Sequence, residues 1–382
     1  MRFAVVGDLA EAAVLVEQIH RSIEHELSAC CVDGPLLQQM QYAAIPFSSL
    51  PSRDDVVLAD RDQIVIVAES NSEASIQSIR RASQEECPVL AFAPFDVSTA
   101  WSYEAHLLLD EATTGILPVT GRWFADPKLR LSDHATLQQL TLSLPLQADE
   151  RQQRRQQLHA IDLMIGTGIR FSQVTGLDLN GPDGRPLTRS VTLSAPALDS
   201  KAVPPALIRF ESKPPAATEV VVDQSDGQQQ NFKVFQPVGS GVHEDGSGRL
   251  IEPLLQALKE PSRCQSEMEL LSNSLELLEG LDKSFRRRRT VDVYLDSVSE
   301  RAVFKTQMTA IGCGVLGYLM FGMVAYLMIA QLLKPSPAVL NVARILWIAP
   351  LILFLIAQLL LPLARDRTPA PSVKEKPTDE AS

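Results

Sequence analysis

Short runs of branched apolar residues alternate with stretches whose apolar positions recur at helical spacing, and this alternation organises the first third of the chain. Arg2–Val6 is an apolar run that reads as a buried strand. Gly7 breaks it, and Ala10–Ile19 follows with helix-compatible spacing. Leu27–Val32 (LSACCV) reads as a second strand, ending at Asp33. Asp54–Leu58 is a short helix or turn, Gln63–Ala68 (QIVIVA) a very apolar strand, Ser72–Ser83 an amphipathic helix and Pro88–Phe92 another buried strand. Thr99–Ala112 supplies one more helix and Gly115–Val119 one more strand. Strands alternating with helices predict a parallel sheet with helices on both faces.

The pattern then changes. A polar run, ERQQRRQQ from Glu150 to Gln157, leads into LHAIDL and places His159 at a helix start. Phe171–Leu179, Arg189–Ser194, Ala206–Glu211, Glu219–Val222 and Asn231–Phe235 are strand candidates, with turn signals at Gly181–Gly184 and Ser225–Gly227. They predict a second, α+β domain on a largely antiparallel sheet. Val238–Arg249 is a polar, glycine-rich loop in which His243 and Glu244 lack the partner spacing of a metal site. Leu250–Leu258 is a short helix, and Met268, Leu271, Leu275 and Leu278 stripe a longer one. The arginines Arg286–Arg289 precede a last strand, and Ser297 with Glu300 has capping-box spacing for another helix.

Met308–Leu333 carries no charged residue, Lys334–Pro337 is a short connection, and Ile345–Ala364 is a second apolar stretch. Both are long enough to cross a bilayer, which predicts a two-helix transmembrane hairpin; a buried core hairpin is the alternative. Lysines and arginines concentrate on the outer flanks, so both ends, and the soluble domains, are expected in the cytoplasm, with the bilayer as a partner. The expected division is residues 1–125, 126–305, 306–364 for the two spans, and a disordered tail over 365–382.

A formal net charge of −11 argues against nucleic acid as a main partner. The five cysteines show no metal-ligand spacing, and Cys30 and Cys31, adjacent in an apolar run, read as buried free thiols. A homo-oligomer is compatible with the sequence without being specified by it.

The chemistry begins at Gly7. A strand, a glycine turn and a helix start open a dinucleotide-binding βαβ unit, in which helix N–H groups face a pyrophosphate. The G-x-G-x-x-G pattern survives here as Gly7, Leu9 and Ala12. Gly7, Asp8 and Leu9 are the candidate cofactor-binding positions, with Leu9 expected to obstruct the approach of phosphate to backbone. Asp33 is placed either to accept hydrogen bonds from an adenosine ribose, favouring NAD over NADP, or to form the turn before Gly34.

The stretches QIVIVAESN, VLAFAP and LHAID, in this order and spacing, resemble the Gfo/Idh/MocA family of glucose-fructose oxidoreductase and inositol dehydrogenase enzymes. The segment RRRRTVDVYLDSVSERAVFKTQMTAIGCG is similar to the close of some members. The resemblance implies a Rossmann-like first domain and NAD(P)-dependent oxidoreduction of a sugar, polyol or related hydroxy compound. Of the family's Glu-Lys-Pro signature only Pro94 is kept, with Phe92 and Ala93 in place of the acid and the lysine. In the family's H-x-x-D pattern His159 and Asp162 match; the histidine is the acid/base of the enzymes, and the acidic residue before it is Arg155 here. Arg122 falls where the family often has an arginine, or is simply a surface residue. The function expected is that of a membrane-anchored oxidoreductase homologue with a degenerate active site, His159 being its catalytic candidate. A non-catalytic nucleotide- or ligand-binding scaffold or regulatory protein is the alternative.

Overall fold

The computed structural model describes residues 1–125, 129, 137–181, 186–195, 203–212, 218–225, 227–234 and 250–293, and beyond them 317, 318, 320–324 and 328. The chain divides into two compact units, Met1–Val298 and Ser299–Ser382.

The first unit holds two sheets. One is five-stranded and parallel, in the order β2-β1-β3-β4-β5: β1 (Arg2–Gly7), β2 (Glu26–Val32), β3 (Gln63–Ala68), β4 (Val89–Phe92) and β5 (Ile116–Val119). A 3-10 turn, Ala10–Ala12, runs into α1 (Ala13–Arg21), and α2 (Gly34–Tyr42), α3 (Arg53–Leu58), α4 (Ser72–Gln84) and α5 (Thr99–Glu111) make the other connections. β3 and β4 are buried along their whole length, as expected of strands covered on both faces. Helix starts follow side-chain chemistry: the Asn71 carboxamide accepts from the Glu73 and Ala74 amides to cap α4, and Ser98 caps α5. β1 pairs with both β2 and β3, with Gly7 opposite Val32 on one side and Ala68 on the other. Gly7 turns the chain there at φ 126°, and a Cβ on it would lie 2.1 Å from the Ala68 carbonyl oxygen, so only glycine fits.

The second sheet has seven strands in the order β11-β10-β6-β9-β8-β7-β12: β6 (Leu137–Pro145), β7 (Gln173–Asn180), β8 (Pro186–Ser194), β9 (Ala206–Glu211), β10 (Glu219–Gln224), β11 (Gln229–Lys233) and β12 (Val291–Asp292). Its pairs are antiparallel except β6 with β9, which makes the sheet mixed. A 3-10 turn over Gly121–Phe124 leads out of β5, and α6 (Glu150–Gly166), α7 (Ile251–Leu258) and α8 (Pro261–Arg287) complete the unit. Leu140, Leu142 and Leu144 alternate inward along β6, and Met268, Leu271, Leu275 and Leu278 of α8 are fully buried.

Three expectations are corrected. His159 lies well inside α6 and not at its start: the polar run forms the helix's first turns, and the Asp149 carboxylate caps it by accepting from the Arg151 amide. Arg122 is buried, with 4% of its side chain exposed, and so is no surface residue. The placement as a multi-pass membrane protein, with cytoplasmic soluble domains and the bilayer as partner, is overturned. Among the described residues no helix is long and apolar enough to cross a membrane. That expectation rested on the apolar composition of 308–364, of which only 317, 318, 320–324 and 328 are described. The Ser297/Glu300 cap, His243, Glu244 and the tail over 365–382 lie outside the described residues.

Candidate functional site

A cavity of about 350 Å³ opens between the Gly7 turn and α6. Asp8, Leu9, Ala10 and Glu11 form one wall, with Pro35 and Gln39 of α2 and with Phe95 just past β4. From α6 come Gln152, Arg155, Gln156, His159, Ala160 and Leu163, the spacing of a single helix face. Leu142 and Leu144 of β6 line it as well.

The strongest interaction in this cavity joins its two walls. Arg155 donates from Nε to Glu11 Oε1 at 2.7 Å and from Nη2 to Glu11 Oε2 at 2.6 Å, a bidentate pair. Its Nη1 donates to the carbonyl oxygen of Ala93, and the guanidinium lies 5.2 Å from the centre of the Phe95 ring. Glu11 and Arg155 are 7% and 4% exposed. Burial alone would push the Glu11 carboxyl up, but Arg155 and then His159 beside it hold it well below the usual carboxylate range.

His159 Nε2 approaches the same carboxylate at 3.4 Å, and the ring is tilted against Phe124 at 6.5 Å. The backbone at His159 is gripped closely: a Cβ on Gly121 would lie 2.1 Å from its carbonyl oxygen. Glu11, from the other wall, therefore sets a carboxylate beside the His159 ring.

At the glycine turn, the amides of Asp8 and Leu9 both donate to the Ala68 carbonyl at 2.9 Å. The Asp8 carboxylate accepts from the Ser70 amide and hydroxyl at 2.8 and 2.6 Å. Leu9 is 2% exposed and belongs to the core while flooring the cavity. Asp33 stands at the end of β2, exposed, with its amide on the Gly7 carbonyl at 3.2 Å. It occupies the N-cap position of α2 without a side-chain cap bond, which leaves its carboxylate uncommitted to the helix.

Asp162 belongs to a different structure. It is fully buried, accepting from the Arg122 amide at 3.0 Å and from the Ser274 hydroxyl at 3.0 Å. The Arg122 guanidinium lies 3.3 Å from Asp162 and 2.7 Å from Glu267, so the pair braces α6, α8 and the turn after β5. Asp162 does not line the cavity. Glu11 is not among the site residues expected from the sequence. Its signal was present: an acidic residue in the turn of a dinucleotide motif stands where an anionic ligand would have to approach.

No family model matches the sequence, and no curated protein matches it. Solved structures do. A myo-inositol dehydrogenase from Corynebacterium glutamicum aligns at 16% identity with a TM-score of 0.59, over 77% of this chain and 99% of its own. The myo-inositol dehydrogenase from Lactobacillus casei, in complex with NAD(H) and myo-inositol, gives 10% identity and a TM-score of 0.56, over 78% and 98%. The chain has the fold of an inositol dehydrogenase. An oxidoreductase from Agrobacterium radiobacter, in complex with NAD+, L-tartaric acid and magnesium, aligns similarly, at 13% identity and a TM-score of 0.54, over 76% and 98%. At such identities the likeness is one of fold, and the chemistry has to be argued from the residues in the cavity.

Proposed function

We propose that the chain is a divergent Gfo/Idh/MocA-type oxidoreductase homologue that keeps the cofactor cleft, binds a nicotinamide dinucleotide weakly with NAD ahead of NADP, and is impaired in hydride transfer. The observation that carries this reading is the closure of Arg155 on Glu11 and on the Ala93 carbonyl across the cavity.

The residues fit the two ends of a dinucleotide unequally. At the ribose end Asp33 stands exposed beside the Gly7 turn, where a carboxylate accepts from ribose hydroxyls and repels a 2′-phosphate. At the pyrophosphate end they do not fit. Two turn amides are already used, Asp8 and Glu11 present carboxylates, and the nearby guanidinium is satisfied. No hydride-transfer step follows from this arrangement. With Ala93 in the lysine's place and Arg155 neutralised, no uncompensated cation among the described cavity residues meets a developing alkoxide. The remaining polar lining, Gln39, Gln147, Gln152, Gln156 and His159, suits a neutral hydroxyl-bearing ligand, and the sugar or polyol class follows from the resemblance alone.

Titration of the full chain with NADH and NADPH, read by fluorescence, tests the reading together with turnover assays on common polyols and sugars. Weak saturable binding of NADH, weaker binding of NADPH and no turnover above background support it. Turnover that disappears in His159→Ala overturns it.

A further inference from the structure

We infer that Glu11 is a built-in competitor for the anionic centre of a dinucleotide: its carboxylate takes the place on Arg155 that a pyrophosphate oxygen would take, and so sets what the cavity accepts. The inference rests on the cavity being the dinucleotide cleft and deepens that reading by naming the residue that weakens it.

Three observations converge on this assignment. The Glu11–Arg155 contact is bidentate, with two hydrogen bonds of 2.7 and 2.6 Å, and a guanidinium fork makes the same contact with two phosphate oxygens. The pair is almost fully buried, so its charges act in a poorly screened surrounding where a second anion beside Glu11 is strongly disfavoured. The Asp8 and Leu9 amides are spent on Ala68, and Arg155, the one guanidinium lining the cavity among the described residues, is the cation Glu11 already holds. Leu9, by contrast, has its side chain in the core. The charge of Glu11 therefore opposes phosphate at this turn whatever the Leu9 side chain adds.

The geometry also says what removal of the carboxylate does. Without it Arg155 keeps its bond to the Ala93 carbonyl and its place over Phe95, so the guanidinium stays at the cavity wall with its fork empty. An anion entering there would restore the lost partner.

The test uses the full chain as parent, Glu11→Ala, Glu11→Gln and the double variant Glu11→Ala/Arg155→Met. Inorganic pyrophosphate is followed by thermal unfolding and NADH by fluorescence. Glu11→Ala is expected to unfold at lower temperature than the parent, to recover on adding pyrophosphate, and to bind NADH about tenfold to a hundredfold tighter, the range one charge-assisted hydrogen-bonded contact supplies. Glu11→Gln, which keeps the shape and loses the charge, moves the same way by less, and it carries the test if Glu11→Ala does not fold. In the double variant both gains vanish. A gain for pyrophosphate without one for NADH supports the competitor role and overturns the dinucleotide reading of the cleft. Folded Glu11→Ala and Glu11→Gln with parental responses to both ligands overturn the inference. So does a gain that survives Arg155→Met.

Discussion

Arg155 on α6 and Glu11 in the turn after β1 are 144 residues apart in sequence and meet in a bidentate, buried ion pair. The pair joins the glycine turn of the parallel sheet's first strand to α6, and so ties that turn to the helix. Removing one partner leaves the other buried and uncompensated. Arg155→Met should therefore cost about 3–5 kcal/mol, while Arg155→Met with Glu11→Leu should cost clearly less. Urea unfolding of the two variants measures the difference, and equal losses would show that packing of the long side chain, not charge, carries the effect.

The same pair gives a pH dependence with a definite sign. The Glu11 carboxyl is held below its ordinary value in the folded state, so the unfolded chain binds the proton first as pH falls. Its contribution is fully present above the unfolded carboxyl value of about 4.3, and it declines below that until the folded carboxylate itself takes a proton. The stability gap between the parent and Glu11→Gln should be open above about pH 5 and shrink on acidification below about pH 4. A gap that widens in acid would contradict the assignment.

The parallel sheet was legible because buried strands such as Gln63–Ala68 announce themselves as unbroken apolar runs. β6 was less so: it has no such run, and its period-2 alternation of inward leucine and outward polar residue covers only Leu140–Leu144. α6 was misjudged at its start because its first turns are almost wholly polar, and their burial against other elements leaves no mark in local sequence. Of the residues around the cavity, His159 and the Gly7 turn could be singled out by pattern and spacing. Glu11 with Arg155, and Asp162 with Arg122, could not. Each of these pairs is long-range, and an acid and a base far apart in sequence look like solvated charges until the fold puts them together.

Leu9 offers a clean separation of bulk from charge. It is 2% exposed in the core beneath the cavity, so Leu9→Ala should cost about 2–5 kcal/mol by emptying packed volume. NADH affinity, measured where the variant is still folded, should not rise. A large gain in affinity would return the obstruction to the leucine side chain.

At the end of β2 Asp33 is exposed, so Asp33→Ala should leave the melting temperature within about 2 °C of the parent, as surface changes generally do. Its effect should fall on ligand choice: NADH binding weakens and the difference between NADH and NADPH narrows, because the 2′-phosphate no longer meets a carboxylate. Parallel fluorescence titrations of both cofactors check this. An unchanged ratio would make Asp33 a turn residue only.

His159 remains the group most suited to proton exchange in this cavity, and its surroundings decide whether that suits it for catalysis. Oxidation of a secondary alcohol needs a base for the hydroxyl proton and a stabilising charge for the oxygen as hydride leaves. The imidazole faces the cavity, with its Nε2 3.4 Å from Glu11 Oε2. The same carboxylate, however, neutralises Arg155, and Ala93 supplies no cation. Losing one such stabilising group typically costs on the order of a hundredfold or more in rate. The parent should therefore show no turnover with polyols or sugars, and His159→Ala should lower neither rate nor, by more than a small amount, NADH affinity. Placing lysine at the family's position, Ala93→Lys, in a Glu11→Gln background should be the first change to raise turnover above background, and His159→Ala should abolish what it gains. Activity that appears in that background and persists without the histidine would assign the base elsewhere in the cavity.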